Sequence, residues 1–504
     1  MVNGFMLRKI RIILAALFYI AVTLLFLGVS WRINLWLGWV AKIQFLPALM
    51  VLNFGVLAGL IILTLLFGRL YCSIICPLGV MQDIFSWFGR KAKKNRYSYS
   101  PEKKWLRYSV LAVFIICLII GFAPVTTLLA PYSAYGRIVN SLFRPLYDLL
   151  INGLAAIESN FDSYMFSEAE IWMRSVTTFI VTLLTLGILG VLAWRNGRTY
   201  CNTVCPVGTI LSFFARFSLF RIQIDEDKCR KCSLCTKNCK AAAIDFKNGS
   251  VDLTRCVACG DCIDKCHDGA ISYKLVESQK SKVESPKTAD ADRPSSPDRR
   301  AFLTGAAVAV GTAAMAQAKI KVDGGLAEIE NKVAPKRETP VTPPGSVSER
   351  NMQRHCTACQ LCVSACPNNV LRPSSDPMRF MQPEMSFERG YCRPECTHCS
   401  LVCPTGAIQP LRHEDKPFIH IGHAVLIEQN CIPVTNGDHC GACAKHCPMD
   451  AIQMVEHTTA DGRTVLVPAI DNERCIGCGK CEYLCPARPF SAIYVEGNST
   501  HQIH

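Results

Sequence analysis

The chain has 504 residues, half of them hydrophobic, and a formal net charge of +14. Its length and the long uncharged runs near its start exclude a single soluble domain. The charge does not indicate nucleic-acid binding, because the basic residues gather beside the apolar runs, where they orient membrane helices. Examples of these basic residues are Arg90, Lys91, Lys93, Lys94, Arg96, Lys103, Lys104 and Arg107.

Four apolar runs are each long enough to cross a hydrocarbon core, which takes about 20 residues as a helix. The first run has no small-residue cleavage site behind it, so we interpret it as an anchor and not as a removable signal. Residues 1–222 are therefore predicted to form a four-helix transmembrane domain in a lipid bilayer. The runs lie near residues 11–30, 45–67, 108–130 and 174–194.

Basic residues predict the orientation of these helices. Arg8, Lys9 and Arg11 place the N-terminus in the cytoplasm, and the basic loop between the second and third runs lies on the same side. The stretch from about 131 to 173 is then expected to face outward. Residues 209–222 interleave aromatic residues with arginines, which is typical of an interfacial helix or of a simple connector.

A twelve-residue stretch with a Cys-x3-Cys-Pro motif follows both the second and the fourth run. If the cysteines continue the preceding helix, their i, i+4 spacing places each pair on one helix face, and the proline closes the turn. The repetition predicts an internal duplication in which Cys72 and Cys76 converge with Cys201 and Cys205 at the cytoplasmic mouth of the bundle. We interpret the four as candidate redox thiols or a metal site beside a quinone pocket; alternatively, the duplication preserves only a turn. The stretches are GRLYCSIICPLG at 68–79 and GRTYCNTVCPVG at 197–208.

Residues 223–276 carry two motifs with the Cys-x2-Cys-x2-Cys-x3-Cys spacing of bacterial two-cluster ferredoxins. The fourth cysteine of such a motif binds the cluster of the other motif. A structural zinc site is the alternative, but zinc usually draws two Cys-x2-Cys pairs per ion. Lys240 and His267 stand where the usual motif has proline. The predicted ligand sets are Cys229, Cys232, Cys235 and Cys266 for one cluster, and Cys239, Cys256, Cys259 and Cys262 for the other.

A polar stretch over residues 277–298 is predicted to be a linker. It precedes Arg299-Arg300, Phe302-Leu303 and an Ala/Gly run, which together predict an internal twin-arginine export signal at 299–319, either cleaved or kept as a fifth span. An Ala-rich spacer that stays in the cytoplasm is the alternative. After a second linker at 320–350, residues 351–504 are then expected in the periplasm.

Residues 351–504 carry four further cysteine groups, two with the full ferredoxin spacing and two with stretched variants of it. They predict four more [4Fe-4S] clusters, and so six in the chain. Disulfides are the alternative in an oxidising compartment, but pairwise bridges fit ferredoxin-like groups of four poorly. The groups are Cys356, Cys359, Cys362 and Cys366; Cys392, Cys396, Cys399 and Cys403; Cys431, Cys440, Cys443 and Cys447; and Cys475, Cys478, Cys481 and Cys485.

Other candidate residues receive simpler interpretations. His420 and His423 are expected to pack on a strand, since a Rieske centre needs Cys and His in paired loops. Cys117 is expected to be a small buried hydrophobic residue. The sequence contains no Cys-x-x-Cys-His haem site, no G-x-G-x-x-G after a strand and no P-loop, so haem c, NAD and nucleotide hydrolysis have no support.

These motifs make the chain resemble two families in succession. Residues 1–275 resemble the NapH membrane proteins, with four spans, two Cys-x3-Cys-Pro motifs and a cytoplasmic two-cluster ferredoxin. Residues 299–504 resemble the exported four-cluster NapG proteins, and MauM and MauN proteins are further relatives. The resemblance implies a multi-pass protein of the bacterial inner membrane, with an α-helical bundle followed by α+β ferredoxin-like domains. It also implies that quinol from the membrane quinone pool is oxidised. The electrons then pass to a periplasmic acceptor or reductase.

The resemblance further implies how the C-terminal cysteines are shared between clusters. In related four-motif subunits the first motif pairs with the fourth and the second with the third. The second motif departs from the NapG pattern, with x3-x2 spacing in place of x2-x4. The implied sets are Cys356, Cys359, Cys362 with Cys485; Cys475, Cys478, Cys481 with Cys366; Cys392, Cys396, Cys399 with Cys447; and Cys431, Cys440, Cys443 with Cys403.

A second function remains open at the level of sequence. Accessory proteins of cytochrome oxidase assembly and of nitrous oxide reductase share the combination of spans with Cys-x3-Cys-Pro motifs. The chain is therefore either an electron-transfer protein or a maturation factor whose thiols reduce or bind copper.

Overall fold

The computed structural model describes residues 4–92, 97–158, 171–275, 322–323, 327–328, 331–459 and 462–503. The chain divides into two compact units, and the larger comprises Met1–Tyr147, Arg174–Leu275 and Lys332–His504. In the smaller unit, the described residues are the C-terminal part of a helix that ends at Glu158, residues 171–173, residue 331, and a β-ribbon of β5 (Val322–Asp323) with β6 (Ala327–Glu328). The predicted linker at 277–298 and the predicted twin-arginine segment at 299–319 lie outside the described residues.

The described residues between Gly4 and Ala215 are mostly helical, as their long apolar runs predict. The helices are α1 (Gly4–Leu27), α2 (Trp31–Lys42), α3 (Phe45–Met50), α4 (Phe54–Phe67), α5 (Tyr71–Ile74), α6 (Pro77–Ala92), α7 (Lys104–Ile120), α8 (Ala123–Leu129), α9 (Pro131–Ile138), α10 (Arg144–Glu158), α11 (Val176–Asn196), α12 (Thr199–Thr203) and α13 (Pro206–Ala215), with a π-helical turn at Val139–Phe143 between α9 and α10.

Two described helices are long and apolar enough to cross a membrane, namely Met6–Leu27 of α1 and Val176–Asn196, which is α11. The other two predicted spans are interrupted. The second is divided into α3 and α4, because Leu52 has a positive φ of 53° and the Asn53 side chain caps the new helix by accepting a hydrogen bond from the Val56 amide. The third ends at Gly121, whose φ of 83° is typical of a helix C-terminus.

The two repeats fold alike, but their cysteines do not continue the preceding helices. Gly68 and Gly197, with φ values of 72° and 70°, end α4 and α11, and the cysteine pairs begin in the short helices α5 and α12. Pro77 and Pro206 are the first residues of α6 and α13, a position where the missing amide proton costs nothing. The expectation of one continuous helix face is therefore wrong.

The ferredoxin domain begins earlier than predicted. Helix α13 ends at Ala215, and β1 (Phe220–Ile224) already pairs antiparallel with β4 (Ile271–Leu275). The stretch 209–222, expected to be an interfacial helix or a connector, is thus helical only as far as Ala215 and enters strand β1 at Phe220. Between these strands lie α14 (Leu234–Asn238), the ribbon of β2 (Ile244–Asp245) with β3 (Ser250–Val251), and α15 (Asp261–Asp264).

The C-terminal domain, residues 331–503, consists of short helices and antiparallel ribbons. His420 and His423 lie on β9 as expected: the His420 ring bonds the carbonyl of Cys475, and His423 pairs in register with Glu496. The helices are α16 (Glu349–His355), α17 (Leu361–Ala365), α18 (His398–Val402), α19 (Ile432–Thr435), α20 (Ala442–Lys445) and α21 (Lys480–Leu484). The ribbons pair β7 (Leu371–Pro373) with β8 (Pro383–Met385), β9 (Ile419–Leu426) with β12 (Ile493–Ile503), and β10 (Ile452–Thr458) with β11 (Thr464–Ile470).

The two cysteine-rich domains contact opposite ends of the long helices. At the start of α1, Arg8 forms ion pairs with Asp261 and Asp264 of the ferredoxin domain. Just beyond the end of α1, the Trp31 indole stacks on His398 of the C-terminal domain, with ring centroids 3.8 Å apart. The helical region therefore separates the two sets of ferredoxin motifs.

Candidate functional site

The structure gathers the cysteines of the ferredoxin motifs into six groups of four. Within a group the sulfurs are in electrostatic range, which means that they lie close enough together for their charges to interact, or they line a common cavity. Site 1 comprises Cys229, Cys232, Cys235 and Cys266; site 2 Cys239, Cys256, Cys259 and Cys262; site 3 Cys356, Cys359, Cys362 and Cys403; site 4 Cys366, Cys392, Cys396 and Cys399; site 5 Cys447, Cys475, Cys478 and Cys481; and site 6 Cys431, Cys440, Cys443 and Cys485.

Sites 1 and 2 lie in the ferredoxin domain with the membership that the motif spacing predicts. Helix α14 carries Cys235 of site 1 and is followed by Cys239 of site 2. Helix α15 carries Cys262 of site 2 and is followed by Cys266 of site 1. Each short helix thus serves both sites, which fixes the two sites next to each other.

Sites 3 to 6 repeat this arrangement twice, but with a different pairing of motifs from the one implied by the resemblance. Cys403 is in electrostatic range of the first three cysteines of the first motif, and Cys366 is in range of Cys392 and Cys399. The first motif therefore pairs with the second.

The third and fourth motifs form the other pair. Cys485 is in electrostatic range of Cys431 and Cys443, and Cys447 lines a cavity with the first three cysteines of the fourth motif. The implied pairing of first with fourth and second with third is not found. The physical reason is that each pair of neighbouring motifs shares its own two short helices, as in the ferredoxin domain, so each motif meets the nearest one along the chain.

The four C-terminal sites form a row in the order 3, 4, 5, 6. Sites 3 and 4 meet where Cys362 is in electrostatic range of Cys399. Sites 4 and 5 meet where the amide of Cys392 donates a hydrogen bond of 2.9 Å to the carbonyl of Cys478. Sites 5 and 6 meet where Cys481 is in range of Cys443.

The repeat-thiol site, defined as Cys72, Cys76, Cys201 and Cys205, forms at the facing ends of the two repeats. Each of these residues is 5% exposed, and each of the six possible pairs of sulfurs is in electrostatic range. The four thiols therefore converge, as the duplication predicts. Cys117 lies apart from them in α7 and is only partly buried.

Reciprocal contacts between the repeats hold this site. Arg69 of the first repeat donates to the carbonyl of Cys201 at 3.1 Å, and Arg198 of the second repeat donates to the carbonyl of Cys72 at 2.6 Å. Both guanidinium groups are fully buried. Because equivalent residues exchange equivalent contacts, the repeats are related by an approximate two-fold axis through the thiols.

Asp83 joins this site to the ferredoxin domain. Its carboxylate accepts two hydrogen bonds from Arg198, at 2.7 and 2.8 Å, and one from Lys240 at 2.8 Å. Burial opposes ionisation of Asp83, but the two cations hold its pKa well below the ordinary value. Lys240 also pairs with Asp261, so the residue that replaces the usual proline docks site 2 against the repeats.

Three buried residues and the partly buried Tyr200 lie between the repeat thiols and site 3. Tyr71 is in electrostatic range of the thiols and of Tyr132, and Tyr132 is in range of Cys359 in site 3. By a second route, Tyr200 is in range of the thiols and of Arg137, which is in range of Cys359. The repeat-thiol site is thus the intermediate between site 2 and site 3.

Neither the two repeat arginines nor Asp83 has a role in the sequence-based expectations. Arg69 and Arg198 carry a signal, because both belong to the positions that the repeats share. Arg107 was expected to orient the helices, but it is buried and donates to the carbonyls of Gly208 and Thr254. No local sequence pattern identifies Asp83 as important, because its partners are distant along the chain.

Gly208 provides a test of the close packing around the repeat thiols. An alanine Cβ at this position would lie 2.3 Å from the carbonyl oxygen of Cys201 and 2.7 Å from the Arg69 guanidinium. We expect Gly208→Ala to destabilise the protein by about 1–3 kcal/mol, because the added methyl group can be accommodated only if the backbone at Cys201 moves. Gly187→Ala is the matched control, because the space around Gly187 is open and helical alanine is favoured. Equal thermal unfolding temperatures for the two variants would contradict the geometry.

Two family models match the chain. A 4Fe-4S binding domain matches residues 49–96 and 177–224, which contain the two repeats. A 4Fe-4S dicluster domain matches residues 355–407 and 438–488, and each of these matches begins in one motif of a pair and ends in the other. The second model therefore agrees with the observed pairing of neighbouring motifs.

Curated relatives are ferredoxin-type proteins. The methylamine utilization ferredoxin-type protein MauM of Paracoccus denitrificans is 32% identical over 197 residues, which are 37% of this chain and 82% of that protein. MauM of Methylorubrum extorquens is 30% identical over 207 residues, 38% of this chain and 86% of that protein. The ferredoxin-type protein NapG of Escherichia coli is 30% identical over 184 residues, 33% of this chain and 77% of that protein. No solved structure matches.

The paired cysteine sites, the cluster-binding family models and these relatives agree on one chemistry. The chain belongs to the ferredoxin-type iron–sulfur proteins that include MauM and NapG, and it is a [4Fe-4S] electron-transfer protein.

Proposed function

We propose that the chain oxidises a membrane quinol and passes the electrons through six [4Fe-4S] clusters to a periplasmic acceptor. The observation that carries this proposal is the continuous row of cysteine sites, from the ferredoxin domain through the repeats to the C-terminal domain. Such a row suits one-electron transfer over a distance that a single site cannot bridge. It has no evident use in a protein that binds one ligand.

The sites are suited to bind anionic clusters. Backbone amides donate to sulfurs in several sites, such as Ala243 to Cys239 at 3.4 Å and Ala451 to Cys447 at 3.3 Å. Lys416 donates to Cys392 of site 4 at 3.2 Å. [4Fe-4S] clusters accept and release single electrons, and hydrogen bonds to their sulfurs tune the potential. Lys416 is therefore expected to raise the potential of site 4.

A placement in the bacterial inner membrane fits the distribution of apolar surface. Large apolar side chains on α1 and α11, such as Leu17, Ile20, Leu184 and Ile188, are more than half exposed. Lipid would cover them. The two cysteine-rich domains would then lie on opposite sides, with the ferredoxin domain in the cytoplasm and residues 351–504 in the periplasm. The Arg299-Arg300 segment supports export of the latter, and this organisation corresponds to a NapH-like part fused to a NapG-like part.

A quinol donor suits this placement, because an apolar reductant dissolved in the bilayer reaches the helices directly. The alternative role in copper maturation has less support. In the part of the chain that the structure describes, no three His, Cys, Asp or Glu side chains lie at the spacing of a single-ion site.

Quinol-driven reduction tests the function. The protein, purified anaerobically and returned to vesicles, is expected to show reduced-cluster electron paramagnetic resonance signals after menaquinol or ubiquinol is added to the lipid. Vesicles without quinol are the control for adventitious reduction, and dithionite defines full reduction. Clusters that dithionite reduces and that neither quinol reduces would refute the quinol donor, while the iron–sulfur assignment would stand.

A further inference from the structure

The repeat-thiol site has the same arrangement as a ferredoxin cluster site. All six pairs of its sulfurs are in electrostatic range, as are all six pairs in site 2. Its four thiols are as buried as the most buried ferredoxin cysteines. These four, the 24 cysteines of sites 1 to 6 and Cys117 account for all 29 cysteines of the chain.

The spacing of the thiols favours a cluster over a single ion. A tetrahedral ion with metal–sulfur bonds of about 2.3 Å draws its sulfurs to within about 4 Å of one another. Among the described residues no group of three or more His, Cys, Asp or Glu side chains has the arrangement of a single-ion site, and the ferredoxin sites share this property. A cubane keeps its ligand sulfurs further apart, because the irons and inorganic sulfides lie between them.

The buried positive charge beside the site favours a negatively charged ligand. Arg69 is fully buried and contacts Asn202, backbone carbonyls and the Cys72 sulfur at 3.8 Å, and no carboxylate among the described residues touches it. Burying an unpaired charge is strongly unfavourable. Four neutral thiols would not offset that cost, whereas a cluster with four thiolate ligands is a net anion.

Hydrogen-bond donors also contact two of the sulfurs. The Gln82 side-chain amide lies 3.3 Å from the Cys201 sulfur through its nitrogen and 3.6 Å through its oxygen. The amide of Gly208 donates to the Cys205 sulfur at 3.4 Å. Ligand sulfurs of the ferredoxin sites receive the same kind of bond from backbone amides.

We propose that Cys72, Cys76, Cys201 and Cys205 bind a seventh [4Fe-4S] cluster, with two ligands from each repeat. Each half of the 4Fe-4S binding match contains only two cysteines, so only the two halves together supply the four ligands of a cubane. The cluster lies between site 2 and site 3 and closes the gap between the two domains. This assignment does not depend on quinol as the donor.

Iron and acid-labile sulfide counts test the assignment on the full-length protein purified anaerobically. The wild type is expected to hold about 28 iron atoms, four for each of seven clusters. Replacing Cys72 and Cys76 together with serine is expected to remove about four irons and four sulfides, leaving about 24. Cys117→Ser, which changes a cysteine of the same helical region outside the site, is the matched control and is expected to retain the wild-type content. Equal contents in the wild type and the double variant would overturn the proposal, and so would loss of copper or zinc without loss of iron.

A milder variant decides the question if the double variant loses additional clusters. Gln82→Leu places at this position the residue type found at its counterpart, Leu211, and removes the side-chain donor to Cys201. We expect unchanged iron content and a lower midpoint potential for one cluster, since hydrogen bonds to ligand sulfurs raise the potential. A redox titration in which every cluster keeps its wild-type potential would contradict a cluster at this site.

Discussion

Replacing Cys356 and Cys403 together with serine is expected to remove one cluster, whereas replacing Cys356 and Cys485 together is expected to remove two. In the structure Cys356 and Cys403 belong to site 3, and Cys485 belongs to site 6. A cubane that has lost one ligand thiolate is already labile, so the second loss within one site adds little. The first variant should therefore lose about four irons and the second about eight.

The pairing implied by the four-motif resemblance makes the opposite prediction for these variants. It assigns Cys485 to the cluster of Cys356, so the Cys356/Cys485 variant would lose only one cluster. Iron analysis, together with spin quantification of the reduced protein, separates the two cases. A loss of about eight irons from the Cys356/Cys403 variant would show that the observed pairing is wrong.

Replacing Asp83 with asparagine is expected to destabilise the protein by about 3–5 kcal/mol, the usual cost of removing one partner from a buried ion pair. The substitution keeps the shape of the side chain but removes the carboxylate that Arg198, Lys240 and Arg11 share, and only Lys240 keeps a second one, Asp261. Because Lys240 docks the ferredoxin domain, we also expect that domain to become sensitive to protease. The measurements are the thermal unfolding temperature in detergent and the rate of limited proteolysis.

Asp415→Asn is the matched control, since the Asp415–Arg412 pair is exposed and such pairs contribute less than about 1 kcal/mol. The pH dependence provides a second check. Burial opposes ionisation of Asp83, and Arg198 and Lys240 overcome it, so the folded pKa lies below the unfolded value of about 3.9. The contribution of Asp83 is then fully present above that pH and lost as the pH falls through the folded pKa. A difference between wild type and variant that shrinks between about pH 6 and 8 would contradict this account.

Sequence-based prediction succeeds where the chemistry depends on local spacing. The membership of sites 1 and 2 follows from the motifs, because three cysteines on one tight loop cannot reach separate clusters. The convergence of Cys72 and Cys76 with Cys201 and Cys205 follows from the duplication, because a two-fold relation brings equivalent segments together. The same duplication explains why arginine occurs at both positions 69 and 198, since each arginine contacts a cysteine carbonyl of the other repeat.

Prediction fails where tertiary packing decides between local alternatives. Hydropathy does not show that Asn53 caps a new helix or that Gly121 ends α7, so two of the predicted spans are too long. Spacing alone does not determine which fourth cysteine completes a C-terminal site, and the choice depends on which short helices pack together. The asymmetry between Gln82 and Leu211 becomes meaningful only once the sulfur of Cys201 is known to lie beside it.

Helix α1 also sets a fixed distance between the two cysteine-rich domains. Its 24 residues span about 36 Å, with Arg8 fixed to the ferredoxin domain near one end and Trp31 fixed to the C-terminal domain just beyond the other. In the proposed membrane placement, a thicker or thinner bilayer must adapt by changing helix tilt or by deforming lipid, at a modest cost per ångström. The separation between the cysteine sites therefore stays constant. Electron throughput is expected to be insensitive to lipid chain length, because tunnelling depends on a distance that the protein sets and the membrane does not.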